Sequence, residues 1–193
     1  MNTRAGVPPP ALGIPEFRPV AESPVVGFYR GTGTDHAGRR LDEILAWDDD
    51  ALEAVHDYIQ WTFPNADPSR ANPFAPRLTA DDERIFRSEP VLRSRLRQSF
   101  VRMLAFYGLE LVDTGDGRVD VRRAAAWPVR AGNWLEPYNH NHLRLTRIMK
   151  CLNRLGLEPE ALALQRTLLD LAERTHTRSF SGGTVRHWRT ALD

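Results

Sequence analysis

The residue types best suited to chemistry gather in two short runs. The first contains His56, Asp57, Gln60 and Trp61, an imidazole, a carboxylate, an amide and an indole. The second, Tyr138, Asn139, His140 and Asn141, runs on into Arg144 and Arg147. An imidazole can exchange protons near neutral pH, and guanidinium groups hold carboxylates or phosphates through paired, charge-assisted hydrogen bonds. A helix start beside those arginines adds free N–H groups that favour an anion. The pattern points to a groove that binds a peptide or another small anionic ligand. Arg144 and Arg147 neutralise its charge, Asn139 and Asn141 orient it, and Trp61 or Tyr138 forms an aromatic wall. Two other readings stay open: a phosphate- or nucleic-acid-directed enzyme with His56 or His140 as acid or base and arginine clamps, and an adaptor whose polar groups staple loops.

No catalytic residue is assigned. Adjacent helical positions such as His56 and Asp57 point about 100° apart, so they form no ready dyad; His56 meets Gln60, and Asp57 meets Trp61, one turn on. His140 and His142 would share a face only in an extended segment and diverge on a helix, and no Asp, Glu or Cys stands at a familiar ligand spacing around them. Neither metal nor cofactor is therefore expected. The run GTGTD, Gly31 to Asp35, lacks the third glycine and strand-helix setting of a dinucleotide site and reads as a turn. Ser99, Ser179 and Ser181 lack a nucleophile-elbow pattern. Cys151, among Ile148, Met149, Leu152 and Leu155, reads as a buried small hydrophobe.

The elements that must position these residues are mainly helical. Asp48 is a natural N-cap, and Leu52, Val55 and Ile59 recur at helical spacing, which predicts a helix from Asp48 to Phe63 after a shorter one over Leu41 to Trp47. Pro64, Pro68, Pro73 and Pro76 make the next stretch an irregular loop. Thr79 with Asp82 forms a capping box for a helix through Arg87. A longer helix spans Pro90 to Tyr107, with Leu92, Leu96, Met103, Leu104 and Tyr107 inward, and Gly108 stops it. Alternation at Leu109, Leu111, Val119 and Val121 around TGDG predicts one β-hairpin, which must pack on helices. Asn139 or Asn141 caps a helix ended by Gly156, Pro159 opens another to about Arg174, and Ser179 or Ser181 caps a last one containing Trp188. The fold class is mainly α, a single-domain helical bundle with one small hairpin.

Length and composition agree. The chain has 193 residues, with 41% hydrophobic and 26% charged content, five Trp and eight Phe, enough for one core. Residues 1–24 hold six prolines and no apolar period, and read as a flexible arm before a helical domain over 25–193. The net charge is +1, so the balance does not call for nucleic acid or an anionic membrane. Arginines from Arg84 to Arg102 spread around helices as a solvated face. Lys150 is the sole lysine, an arginine bias that suggests a GC-rich, bacterial source. A lone cysteine allows no internal disulfide, and neither a membrane span nor a signal peptide is apparent, so a soluble cytoplasmic protein is expected.

Five blocks then carry a resemblance: FYRG at Phe28, HDYIQW-x-FP at His56, SRANPFAP at Ser69, LAFYGLEL at Leu104, and NWLEPYNHNHLRLTRIMKCLNRLGLE from Asn133 to Glu158. Matching in order from roughly Phe28 to Trp188, the chain resembles the conserved N-terminal domain of the opioid growth factor receptor family. That resemblance implies receptor activity toward an enkephalin peptide, with a link to growth inhibition and membrane or nuclear association. Domain identity and receptor activity are separate matters, because a shared fold can host different functions.

Overall fold

Ser23 opens the first helix of the computed structural model, which describes residues 22–69, 72–174 and 179–193. The Ser23 side chain accepts from the Val26 amide, Pro24 occupies the first position, and Gly31 closes α1 (Pro24–Arg30) in the left-handed region. The sequence reading placed no helix here. Its signals were all present, an N-cap, a proline at N1 and a glycine stop, but seven residues are too few to display a period. Val25, Val26, Phe28 and Tyr29 are buried, so packing holds α1 in place. Ser23 and Pro24 therefore belong to the domain; the remainder of the expected flexible arm, residues 1–21, lies outside the described residues.

Helix α2 spans Leu41–Leu45, ending two residues short of Trp47. The expected continuous helix from Asp48 to Phe63 is corrected. Asp48 does cap α3 (Asp49–Ala54), accepting from the Ala51 amide, but Val55 turns extended and the chain re-enters a helix only at α4 (Ile59–Thr62). The physical cause lies elsewhere in the chain. In a continuous helix the Leu52 carbonyl would accept from the His56 amide. Instead it accepts from Arg144 Nη1 at 3.0 Å and from Tyr58 Oη at 3.1 Å, while Arg144 Nη2 binds the Val55 carbonyl at 3.1 Å. The run Val-His-Asp-Tyr has weak helix propensity and yields to these bonds.

The capping box is present: Thr79 Oγ1 accepts from the Asp82 amide and Asp82 Oδ2 from the Thr79 amide, starting α5 (Ala80–Ser88). Helix α6 (Pro90–Phe106) follows. Gly108 then turns the chain at φ 75° into β1 (Leu109–Asp113), which pairs antiparallel with β2 (Val119–Arg123), Leu111 facing Val121. A β-carbon on Gly108 would stand 2.9 Å from the Trp127 Cα, so both conformation and closeness require glycine. The hairpin packs on α9 (Glu158–Arg174), where Thr167 Oγ1 donates to the Val121 carbonyl at 2.7 Å.

A short α7 (Trp127–Arg130) and one 3-10 turn (Ala131–Asn133) lead to α8 (Asn141–Arg154). Gly156, at φ 87°, separates α8 from α9, and these two helices share the most extensive helix-helix contact. Ser181 caps α10 (Gly182–Arg189) by accepting from the Thr184 amide. One core joins all of this, with Phe28, Tyr58, Phe63, Phe100, Trp134 and Trp188 fully buried. The mainly α, single-domain bundle with one small hairpin is thus the observed fold. No helix among the described residues is long and apolar enough to cross a membrane.

Candidate functional site

An open cleft of about 400 Å³ lies between the segment that follows α3 and one face of α8. His56, Ile59 and Gln60, with Asn65 and Asp67 from the proline-rich loop, line one side; His140, Leu143, Arg147 and Lys150 line the other, and His187 of α10 borders it. Residues 140, 143, 147 and 150 recur at three- and four-residue intervals, which puts them on one face of α8. The break after α3 matters here: it frees His56 from a helical direction and turns it toward His140, with ring centroids 5.1 Å apart.

Each histidine is fixed by a neighbour. His56 Nδ1 lies 2.8 Å from the Ala54 carbonyl, which can only accept, so Nδ1 is the donor in this contact. His140 Nε2 stands 3.3 Å from Glu53 Oε1. Partial burial, aided by Arg144 and the neighbouring His56, lowers the His140 pKa despite Glu53. Burial also lowers the pKa of Arg147, whose Nη1 donates to the Phe63 carbonyl at 3.2 Å.

Among the described residues, neither Arg147 nor Lys150 has a carboxylate within ion-pair distance. Beside them Gln60 Oε1 and Asn65 Oδ1 are buried with no hydrogen-bond partner among the described residues. Most buried polar atoms are paired, so two orphans beside one cleft call for an explanation.

Five of the ten residues singled out from sequence, His56, Gln60, His140, Arg144 and Arg147, meet in this cleft. The others do not line it. Asp57 turns away to Arg39 Nη2 at 2.9 Å and His36 Nε2 at 3.1 Å; burial works against its charge, but the bond to Arg39 holds its carboxyl below the usual range. Trp61 is core, edge-on to Phe28. The expected i, i+4 pairs His56–Gln60 and Asp57–Trp61 are lost with the helix that would have made them. Asn139 is a local brace, accepting from the Asn141 amide and donating to the Asn133 carbonyl, while the N-cap position itself falls to His140, which makes no side-chain cap. Tyr138, 87% exposed at φ 63°, borders a separate groove with Phe180, Arg186 and Arg189.

Asn141 and Arg144 turn inward. Asn141 Nδ2 donates to Glu53 Oε2 at 3.1 Å and its Oδ1 accepts from Arg144 Nη1 at 3.3 Å. Arg144 is 5% exposed, and its guanidinium is occupied by the Leu52 and Val55 carbonyls and by Asn141, with Glu53 Oε2 at 3.7 Å. Its chief work is to hold the chain break that builds the cleft. His140 and His142 diverge as a helix start requires: His142 is buried against Phe180 and Trp188, with Nε2 at 2.8 Å from the Trp134 carbonyl. Among the described residues, no group of three or more His, Cys, Asp or Glu side chains could hold a metal.

Sequence reading missed Glu53, Asn65, Lys150 and His187. Lys150 was recoverable, since it stands three residues beyond Arg147 on the same helical face. The others reach the site only through tertiary contacts.

Fold and site together define a mainly helical domain with an open cleft that is basic on its α8 side. A family model described as "Opioid growth factor receptor (OGFr) conserved region" matches residues 28–182, and the chain belongs to this family. It is 41% identical over 136 residues to the opioid growth factor receptor of Rattus norvegicus, covering 69% of this chain and 23% of the relative. For the Homo sapiens receptor the values are 39% over 153 residues, 77% and 22%. For opioid growth factor receptor-like protein 1 of Mus musculus they are 35% over 130 residues, 63% and 26%. The chain thus spans about a quarter of the length of these curated relatives. No solved structure matches it.

Proposed function

We propose that this chain is a non-enzymatic recognition domain that binds a peptide or other carboxylate-bearing ligand in the cleft between the His56 segment and α8. One observation carries the reading: Arg147 and Lys150 face the cleft with no carboxylate in ion-pair distance among the described residues, beside buried oxygens of Gln60 and Asn65 that have no hydrogen-bond partner among them. Cations line the site for an anionic end, the amides can meet backbone N–H or C=O groups, and Ile59 and Leu143 add apolar wall. The relatives' names, opioid growth factor receptor, agree with ligand recognition by this family. Two of the stretches that carry the sequence resemblance, 56–64 and 133–158, supply most of the cleft.

A second reading has one observation in its favour. His56 is anchored through Nδ1 on the Ala54 carbonyl, its ring lies against His140, and His140 is held by Glu53, an arrangement suited to acid-base work on a phosphate ester beside Arg147 and Lys150. Thermal-shift measurements at fixed low salt separate the two. Melting with enkephalin peptide, other short peptides, nucleotides or oligonucleotides should raise the transition only for ligands of the native state. A rise confined to peptides supports the recognition domain. A rise confined to phosphate compounds transfers the assignment to the second reading, and no shift with any of them points to an adaptor.

A further inference from the structure

The cations of α8 form a row rather than a point. His140, Arg144, Arg147 and Lys150 follow one another along the cleft face, and ten residues of helix span about 15 Å. Arg144 is buried and engaged by the Leu52 and Val55 carbonyls and Asn141 Oδ1, so the groups more open to a ligand are His140 at one end and Arg147 with Lys150 toward the other. His56 lies against His140. One end of the cleft therefore carries charge that depends on pH, and the other carries permanent charge. Extended peptide advances roughly 3.3–3.6 Å per residue, so four or five residues bridge the two ends. Between them, Gln60 and Asn65 each hold a buried amide oxygen with no hydrogen-bond partner among the described residues, and a turn of either side chain presents it to a peptide backbone.

Resting on the reading above, we infer that the cleft takes an extended acidic peptide of about four or five residues and that binding is coupled to proton uptake at His140. His56, Glu53 from α3 and Arg144 from α8 act on His140 directly, and Asp67 from the loop, Arg147 and Lys150 from α8 and His187 from α10 line the same cleft. In the free protein partial burial, with Arg144 and His56, disfavours protonation of His140, and Glu53 opposes them. An incoming carboxylate reverses that balance and raises the imidazole pKa. A group whose pKa rises on binding makes binding stronger below its free pKa and weaker as pH climbs through its bound value. Each unit of rise gives up to about tenfold in affinity.

The experiment is calorimetric titration of the whole chain with N-acetyl-pentaaspartate at low salt, at about pH 6 and about pH 8, either side of the ordinary imidazole range. Buffers of different ionisation enthalpy report proton uptake directly. Binding should be about tenfold tighter at the lower pH, with net proton uptake. His140→Gln should lose both the pH difference and the proton uptake, and N-acetyl-diaspartate should bind more weakly than the pentapeptide. Binding that is independent of pH, uptake that persists in His140→Gln, or equal affinity for the dipeptide overturns this inference and leaves the recognition reading standing. A folded protein that binds no carboxylate at either pH overturns both. Tighter binding of an oligothymidylate of equal charge overturns the choice of peptide.

Discussion

Arg144→Met tests the most consequential structural assignment. The substitution keeps the aliphatic stem but strips the guanidinium from the Leu52 and Val55 carbonyls, from Asn141 Oδ1 and from the neighbourhood of Glu53. Leu52 retains the Tyr58 hydroxyl, so the main losses are at Val55, Asn141 and Glu53. A hydrogen bond to a charged donor contributes about 1.5–3 kcal/mol, and removing one member of a buried charged cluster costs about 3–5 kcal/mol. Arg144 is 5% exposed, so the upper range applies, and about 4 kcal/mol is expected. For a chain of this size, roughly 2–4 °C of melting temperature per kcal/mol gives a fall of about 8–16 °C. Urea titration and thermal melting followed by far-UV circular dichroism measure both. Arg147→Met is the control: it removes one carbonyl bond to Phe63 from a half-buried side chain and should cost about 1 kcal/mol. A loss under about 1 kcal/mol for Arg144→Met, or equal losses for the two variants, would refute the view that Arg144 holds the break between α3 and α4.

Three further outcomes are expected. Gly108→Ala forces a β-carbon into a left-handed turn 2.9 Å from the Trp127 Cα, which should cost more than the roughly 1–2 kcal/mol of the conformation alone, read from the urea midpoint. His142 is buried and its pKa is lowered, chiefly by burial. The unfolded chain therefore binds its proton more tightly, and this stability is complete above the unfolded value near 6.5 and declines as pH falls below it. Melting temperature should drop from about pH 7 to about pH 5, and His142→Asn should flatten that slope more than His187→Asn, at an exposed position. Joint replacement of Arg147 and Lys150 by Gln should leave the melting temperature within a few degrees of the parent and abolish binding of N-acetyl-pentaaspartate in the titration; retained affinity would move the anion site elsewhere.

Much of the helical layout was legible because its signals are local. The Thr79 capping box, the Gly108 and Gly156 stops, the Ser181 cap and the hairpin alternation each depend on residues within a turn or two of one another. The errors share a different origin. Helix α1 is too short to show a period, and the expected Asp48 to Phe63 helix is severed by Arg144, which lies far along the chain. That single override redirects His56 toward His140 and sends Asp57 out to Arg39. It also explains why the site was only half readable: residues on α8 follow helical arithmetic, whereas those around the break do not.

By itself the sequence determined the class of fold, the family, and the basic face of α8, since capping, periodicity and block resemblance are written in neighbouring residues. Only the tertiary structure decided which arginine stabilises the fold and which faces ligand. Arg144 and Arg147 have the same chemistry and lie three residues apart, yet the break after α3 buries the first against the Leu52 and Val55 carbonyls, whereas the second stays half-exposed along the cleft with a single carbonyl bond. A buried guanidinium that holds two backbone carbonyls contributes to stability, and one with no carboxylate in ion-pair distance is available to an anion. That difference arises from what folds against each side chain.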